Sequence, residues 1–265
     1  MTGPRLLFST AAFFARPLRD TFRLIAECGY TGVEVLVTND PASQDPAAMR
    51  ATAEQHGLWI GALHDPSLLF TRWVWGSDRV KKIERAVDVA AAADVPLVVT
   101  HPPYRWQRTT RTWFRRELPR LEDRTGIVVG IENMYPFVHA GFYPLMLHAD
   151  QDLEDLEGIR HLVLDTSHAA VARHDLIDVR RRFGDRLRHI HLSDNAGKGW
   201  DSHLPPGHGV LALDPFLDEL VRSGFDGTIS IEVDLRRFLT EPKRLRAMME
   251  GMRERVEARL RASSG

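Results

Sequence analysis

The sequence predicts an α/β fold, a (β/α)₈ TIM barrel, on three observations. Eight β-branched apolar runs alternate with longer segments of helical periodicity, the pattern of βα units wound around a parallel sheet. The chain has 265 residues, about the length of one such barrel, and no Pro/Gly/Ser-rich linker divides it, so residues 1–265 read as one domain. The later runs end in an acid or an imidazole where a barrel strand would leave the core: Glu132 in VVGIEN, Asp165 and His168 in LVLDTSH, His191 and Asp194 in HIHLSD, and Glu232 in ISIEV.

Taken in order, the first strand candidate is Arg5–Ser9, followed by a helix opened near Pro17. The apolar stretch there, Leu6 to Phe14 behind Arg5, has some likeness to a signal peptide. It is short and polar at Ser9–Thr10, so a strand is the better reading. Gly29 closes the first helix before the strand Gly32–Val37. Asp45–Pro46 opens the second helix and Gly57 closes it before Leu58–His64, while Ser77–Asp78 opens the third, ahead of Pro96–His101. The strands Ile127–Glu132, His161–Asp165 and Leu187–Leu192 follow. Asp214–Pro215 and Gly224 bracket a helix before the strand Thr228–Val233, and a charged outer helix runs from about Glu241 to Leu260. Ser263, Ser264 and Gly265 read as a frayed tail.

Side chains alternate along a strand, so the residues two before the strand-end polar groups face the same side one layer deeper. These are Ala62, Val99, Gly130, Val163, His189 and Ser230, mostly small or apolar, as a filled layer beneath a polar rim requires. His189 is a candidate partner behind a metal ligand.

Composition is that of a globular protein, with 43% hydrophobic and 27% charged residues. The net charge of −1 gives no global attraction to a phosphate backbone, so nucleic acid is not the expected partner, although local basic patches leave it open. No apolar stretch reaches the roughly 18 residues that span a bilayer. The one cysteine, Cys28, permits no internal disulfide and reads as a buried helix residue; it suits a reducing cytosol, and a cytoplasmic protein is expected.

Two Glu, one Asp and one His make a mixed oxygen and nitrogen shell suited to a divalent ion such as Mn²⁺, Zn²⁺, Co²⁺ or Mg²⁺. Any single strand-end carboxylate has a competing use as a helix N-cap or ion-pair member; four at consecutive strand ends point to a metalloenzyme. In IEN, LDTSHA, HIHLSDN with DSHLPPGHG, and ISIEV, the chain resembles the xylose-isomerase-like barrel superfamily, the group of sugar phosphate isomerases/epimerases and endonuclease IV. The resemblance runs over nearly the whole chain. It implies a metal held by Glu132, Asp165, His191 and Glu232. On the endonuclease IV pattern, His64, His101, His168, Asp201 and His203 correspond to ligands of two additional Zn²⁺, up to three in all. In the epimerase pattern the position of His168 contacts substrate instead.

Among the remaining features, Tyr104 to Arg116 interleaves basic and aromatic residues after the fourth strand. Arg105 and Trp106, with Arg108, fall in the loop on the catalytic face and are expected to bind substrate, whereas Arg115 and Arg116 read as a solvated helix face. Trp73, Trp75, Trp106, Trp113 and Trp200 follow strands 3, 4 and 7, where they could wall a pocket or cover their own loops. The epimerase pattern has an arginine after the strand 7 histidine; here Lys198 is the only cation between Leu192 and Trp200 and is the substitute candidate. Gly197–Gly199 and Pro205–Gly209 read as ordered loop turns rather than phosphate loops, with His208 a candidate for the pocket. Glu34 is either an acid behind a ligand or a buried ion-pair member.

The leading expectation is a divalent-metal-dependent sugar or sugar-phosphate isomerase/epimerase of carbohydrate metabolism. Glu132 and Glu232 would exchange a proton on opposite faces of a carbon next to a carbonyl. The alternative is a multinuclear zinc hydrolase of the endonuclease IV type acting on a phosphodiester or phosphoester. A sugar-binding barrel without catalysis would have no reason to keep every ligand-type residue. The expected partner is a small carbohydrate-like substrate, with no membrane, and a homodimer is consistent with apolar loops after the strands.

Overall fold

A computed structural model describes residues 3–67, 71, 73–136, 146–149 and 151–263. Eight parallel strands close into a barrel in chain order, β1 (Arg5–Ser9), β2 (Gly32–Leu36), β3 (Trp59–His64), β4 (Leu97–Thr100), β5 (Val128–Glu132), β6 (Leu162–Asp165), β7 (Leu187–Leu192) and β8 (Thr228–Ile231), with β8 pairing back onto β1. Each lies within one or two residues of its expected span. The differences sit at the strand ends that carry the polar residues. His101 lies one residue past β4, where Pro102 and Pro103 supply no N–H to continue the ladder. Glu232 lies one past β8, yet its N–H still donates to Leu192 O at 3.2 Å.

The barrel interior is layered as the alternation requires. Leu7, Ala62, Leu97, Val99 and Val163 form their own apolar cluster inside the barrel, and the larger core lies between strands and helices. Gly130 is needed there because a Cβ would stand 2.6 Å from Val163 Cγ2. The polar layer follows, carried by the register that sets Asp165 level with His191 and Glu132 level with Val163.

The helices start where side-chain caps allow. Asp45 accepts from Ala47 N and Ala48 N (2.9 and 3.3 Å) to open α2 (Pro46–Gln55), after α1 (Leu18–Glu27). Asp78 likewise opens α3 (Arg79–Ala92). Between β4 and β5 the expected single helix is two, α4 (Arg108–Arg116) and α5 (Leu118–Thr125), because Pro119 cannot continue α4. Among the described residues, β5 connects to β6 through a 3₁₀ turn at Asp155–Gly158. The β6–β7 connection holds α6 (Thr166–Val171) and α7 (Leu176–Phe183). α8 (Leu213–Arg222) starts one residue before Asp214, and α9 (Pro242–Ala262) closes the order. Of the expected tail, Ser264 and Gly265 lie outside the described residues, while Ser263 is tied down by a 2.6 Å bond to Asp218 Oδ1. No described helix is long and apolar enough to cross a membrane.

Candidate metal centre

The strand ends, the start of α6 and the loop after β7 bring four carboxylates and five imidazoles to one end of the barrel. At the centre stands His191, fully buried, whose Nδ1 lies 2.8 Å from Glu232 Oε2, 3.5 Å from Glu132 Oε1 and 3.9 Å from Asp165 Oδ2. Its other nitrogen, Nε2, is held by Glu34 Oε1 at 2.9 Å. Glu34 is therefore the acid behind a candidate ligand. His189 packs edge-on against the His191 ring, centroids 5.1 Å apart, and braces Glu34 through Nε2 (3.3 Å) and Thr228 Oγ1 through Nδ1 (2.6 Å).

Asp165 serves two roles at once. Its Oδ1 accepts from His168 N at 2.7 Å and so caps α6, while its buried Oδ2 makes no hydrogen bond. Asn133, the last residue of the IEN run, clamps Asp165 from the backbone side through Oδ1 (2.7 Å) and Nδ2 (3.2 Å).

Two further groups flank this centre. On one side His64 Nε2 and His101 Nε2 approach Glu132 Oε2 at 3.5 and 3.2 Å. On the other, His168 Nε2 and His203 Nε2 approach Asp201 Oδ2 at 3.4 and 2.8 Å. In His64, His168 and His203 the remaining nitrogen, Nδ1, faces a backbone carbonyl: Asp65 O (3.0 Å), Asn133 O (2.9 Å) and Glu232 O (3.1 Å). An Nδ1–H donated to a carbonyl leaves the Nε2 lone pair aimed at a carboxylate. That arrangement is repulsive unless a proton or a metal stands between. His203 also holds a left-handed backbone, φ 39°, a strained conformation for a non-glycine residue.

Charges follow from the same crowding. Burial alone would raise the Glu132 carboxyl, but the neighbouring imidazoles of His191, His101 and His168 hold it well below the usual range. Burial opposes protonation of His64, yet Glu132 outweighs it and lifts His64 to about 9. His203, likewise desolvated, is lifted to about 10 by Asp201 and Asp165. Asp165 itself is raised to about 6 by burial.

Sequence reasoning missed the network beneath His64 and His101. Arg79, opening α3, donates to Thr100 Oγ1 and His101 O, both at 2.7 Å, and pairs with Asp65 Oδ2 at 3.3 Å; Thr100 Oγ1 in turn donates to Asp65 at 2.7 Å. One guanidinium thus joins the ends of β3 and β4. Asp194 likewise proves to organise a loop, its carboxylate accepting from the N–H groups of Asn195, Gly207, Gly209 and Leu211. Gly209 fits there because a Cβ would stand 2.3 Å from that carboxylate.

A cavity of about 730 Å³ opens above the polar groups. Its walls include His64, His101, Glu132, His168, Asp201, His203 and Glu232, with Phe14, Tyr135, Trp200, Arg236 and Arg237 also contributing. Several expected pocket residues lie elsewhere. Arg105 lines a separate hollow of about 620 Å³ with Arg108 and Arg111, and Trp106 is 67% exposed, stacked on Tyr104 at 4.8 Å. Lys198 is exposed on its loop, and His208 faces α9 beside Arg244 and Arg255. Of the tryptophans only Trp200 lines the cavity; Trp75 and Trp113 pack on the core, as loop-covering rings do. Arg115 donates to Asp155 O at 3.1 Å, so it is not merely solvated.

The donor set fits a divalent cation. Glu132 Oε2, Asp165 Oδ2 and His191 Nδ1 are buried polar atoms without a hydrogen-bond partner, on three residues whose ligand atoms lie within 4.8 Å of one another. His191 Nδ1 makes no hydrogen bond even to Glu232, although they are 2.8 Å apart. Carboxylate oxygens and imidazole nitrogens together suit Zn²⁺, Mn²⁺ and Co²⁺. His64, His101 and Glu132, and Asp165, His168 and His203, form further groups within the same reach.

A closed eight-stranded parallel barrel with its polar layer at the strand ends is a TIM barrel. The chain belongs to the xylose isomerase-like TIM barrel family, whose model matches residues 22–255. An uncharacterized protein of Mycobacterium tuberculosis is 32% identical over 243 residues, 85% of this chain and 87% of that one. Among solved structures, L-ribulose 3-epimerase superposes with TM-score 0.71 at 17% identity, covering 98% of this chain and 95% of that one. The IolI protein with a bound zinc atom gives 0.69 at 16% (97% and 99%), and an AP endonuclease family 2 protein from Brucella melitensis gives 0.65 at 21% (88% and 94%). At these identities the structural likeness concerns the fold.

Proposed function

We propose that the protein is a divalent-metal-dependent isomerase or epimerase acting on a sugar or sugar phosphate. The observation that carries this reading is the pair Glu132 and Glu232, brought from β5 and the end of β8 to one cavity with His191 between them. Glu132, Asp165, His191 and Glu232 would hold the ion, for which Mn²⁺, Zn²⁺, Co²⁺ and Mg²⁺ all suit the donors. Bound there, a divalent ion supplies Lewis acidity, polarising a substrate carbonyl and offsetting the negative charge that develops as the adjacent C–H is deprotonated.

The protein's own groups then divide the proton work. Glu232, its side chain 15% exposed against 2% for Glu132, is the more open of the two cavity carboxylates and takes the proton. Glu132, held as the carboxylate by its imidazole neighbours, would return a proton to the other face by relaying it from the His64 imidazolium, whose Nε2 stands 3.5 Å from Glu132 Oε2 and which Glu232, once protonated, restores through solvent. His168 binds a substrate oxygen through Nε2, its Nδ1 being held by Asn133 O. Trp200, Tyr135 and Phe14 supply apolar walls for the carbon skeleton. The structural neighbours named as epimerases are consistent with this chemistry.

Metal-reconstituted protein incubated with ketoses in D₂O should exchange the hydrogen next to the carbonyl, read as loss of a proton NMR signal. Glu232→Gln should slow exchange by roughly 100-fold or more. A second reading, a multinuclear zinc phosphoesterase, is favoured by one observation: two histidine groups flank the centre with Nε2 lone pairs facing Glu132 and Asp201. Protein that binds metal, exchanges no ketose hydrogen and cleaves a phosphoester would overturn the first reading in favour of the second.

A further inference from the structure

We infer that the substrate carries a terminal anionic group, a phosphate or a carboxylate, anchored by Arg237; the inference rests on the isomerase or epimerase reading of the same cavity. Two adjacent arginines after β8, Arg236 and Arg237, line the cavity, and their surroundings differ. Arg236 is committed to Asp234, with Nε 2.9 and 3.1 Å from its two oxygens and Nη2 2.5 Å from Oδ2, so its charge is compensated. Arg237 pairs with no carboxylate among the described residues. Its guanidinium lies over the Phe238 ring, 4.6 Å from the centroid, and Arg244 lies at 5.0 Å from the same ring. Two guanidinium groups on one ring repel each other, and a bound anion relieves that repulsion.

The remaining polar wall is suited to a different task. Glu132 faces His64 and His101, Asp201 faces His168 and His203, Glu232 faces His191 and Asp234 is held by Arg236, so each carboxylate there already has cationic or metal-binding partners. Among the described lining residues, Arg237 is the one permanent cation left for a ligand. Arginine presents paired N–H donors that match phosphate and carboxylate oxygens. A cavity of about 730 Å³ is within the range of small-molecule sites, with room for a sugar whose reacting end meets Glu132 and Glu232 and whose far end reaches the rim. The β7 loop, where a substrate arginine was expected, offers only the exposed Lys198. Arg237 supplies the cation from the next strand instead.

The test compares three forms of one ketose, neutral, terminally phosphorylated and terminally oxidised to the acid, in the D₂O exchange assay with metal-loaded protein. We expect at least about tenfold higher kcat/KM for an anionic form, expressed mainly in KM. Arg237→Gln should remove that preference by raising KM for the anionic form, whereas Arg236→Gln should alter it far less. The phosphorylated and acid arms show which anion is preferred. Preference for the neutral form, or an anionic preference that survives in Arg237→Gln, overturns the inference. Should no ketose exchange at all, the isomerase reading fails on its own. The anchor is then judged by titrating inorganic phosphate into wild type and Arg237→Gln under identical metal loading: tenfold weaker binding in the variant supports it, and equal binding overturns it.

Discussion

Asp165 shows how one side chain satisfies two demands. Oδ1 caps α6 while Oδ2 has no hydrogen-bond partner, so the N-cap role of a strand-end acid occupies one oxygen and leaves the other available for the proposed ligand role. His191 is similar, with Glu34 fixing Nε2 so that Nδ1 faces three carboxylates. These arrangements make metal and protons competitors. Folded, His64 titrates at about 9 and His203 at about 10, whereas an unfolded imidazole titrates near 6.5. Both are raised on folding, so their contribution to stability is fully present below about 6.5 and is lost as pH rises through about 9 to 10. The Tm of metal-free protein should therefore fall between about pH 7 and 10, and saturating metal should flatten the fall by replacing the protons. A metal-free Tm that rises over that interval would count against the charge pattern. Glu132, Asp165, His191 and Glu232 were legible one by one because each ends an apolar run, and the loop residues Asp201 and His203 only through the family resemblance; Arg237 and Tyr135 were not, because loop residues carry no periodicity.

At the level of elements, the strands were readable to within one or two residues, since β-branched runs bounded by Gly, Pro and Asp signal both their cores and their ends. The helices were readable where a cap stood in the sequence, as at Asp45 and Asp78, and less so at α4 and α5, where Pro119 divides one expected helix. The link between β3 and β4 was invisible. Asp65, Arg79 and Thr100 are separated along the chain, and only the closed sheet brings them together beneath His64 and His101. Arg79→Met should leave the Asp65 carboxylate buried without its cation and destabilise the fold by about 3–5 kcal/mol in denaturant melts. Asp65→Asn combined with it should recover part of that loss. Additive effects of the two substitutions would show that the pair is not coupled.

Across the whole molecule, near-zero net charge and a concave cavity of about 730 Å³ fit a small ligand better than a polymer backbone. The fold class could be read from the repeat of βα units, and family membership follows from residues 22–255. The chemistry depends on what the polar layer holds, because barrels of this kind serve several reactions. The most direct measurement is the number of metal ions per chain, by elemental mass spectrometry on untagged protein purified without added ions and again after reconstitution. The account predicts about one tightly held Mn, Co or Zn, lost in Asp165→Asn, which keeps the cap on α6 and replaces the unpartnered oxygen or its neighbour by an amide. Close to three zinc ions would shift the chemistry to the phosphoesterase reading. No metal even after reconstitution would contradict the centre itself.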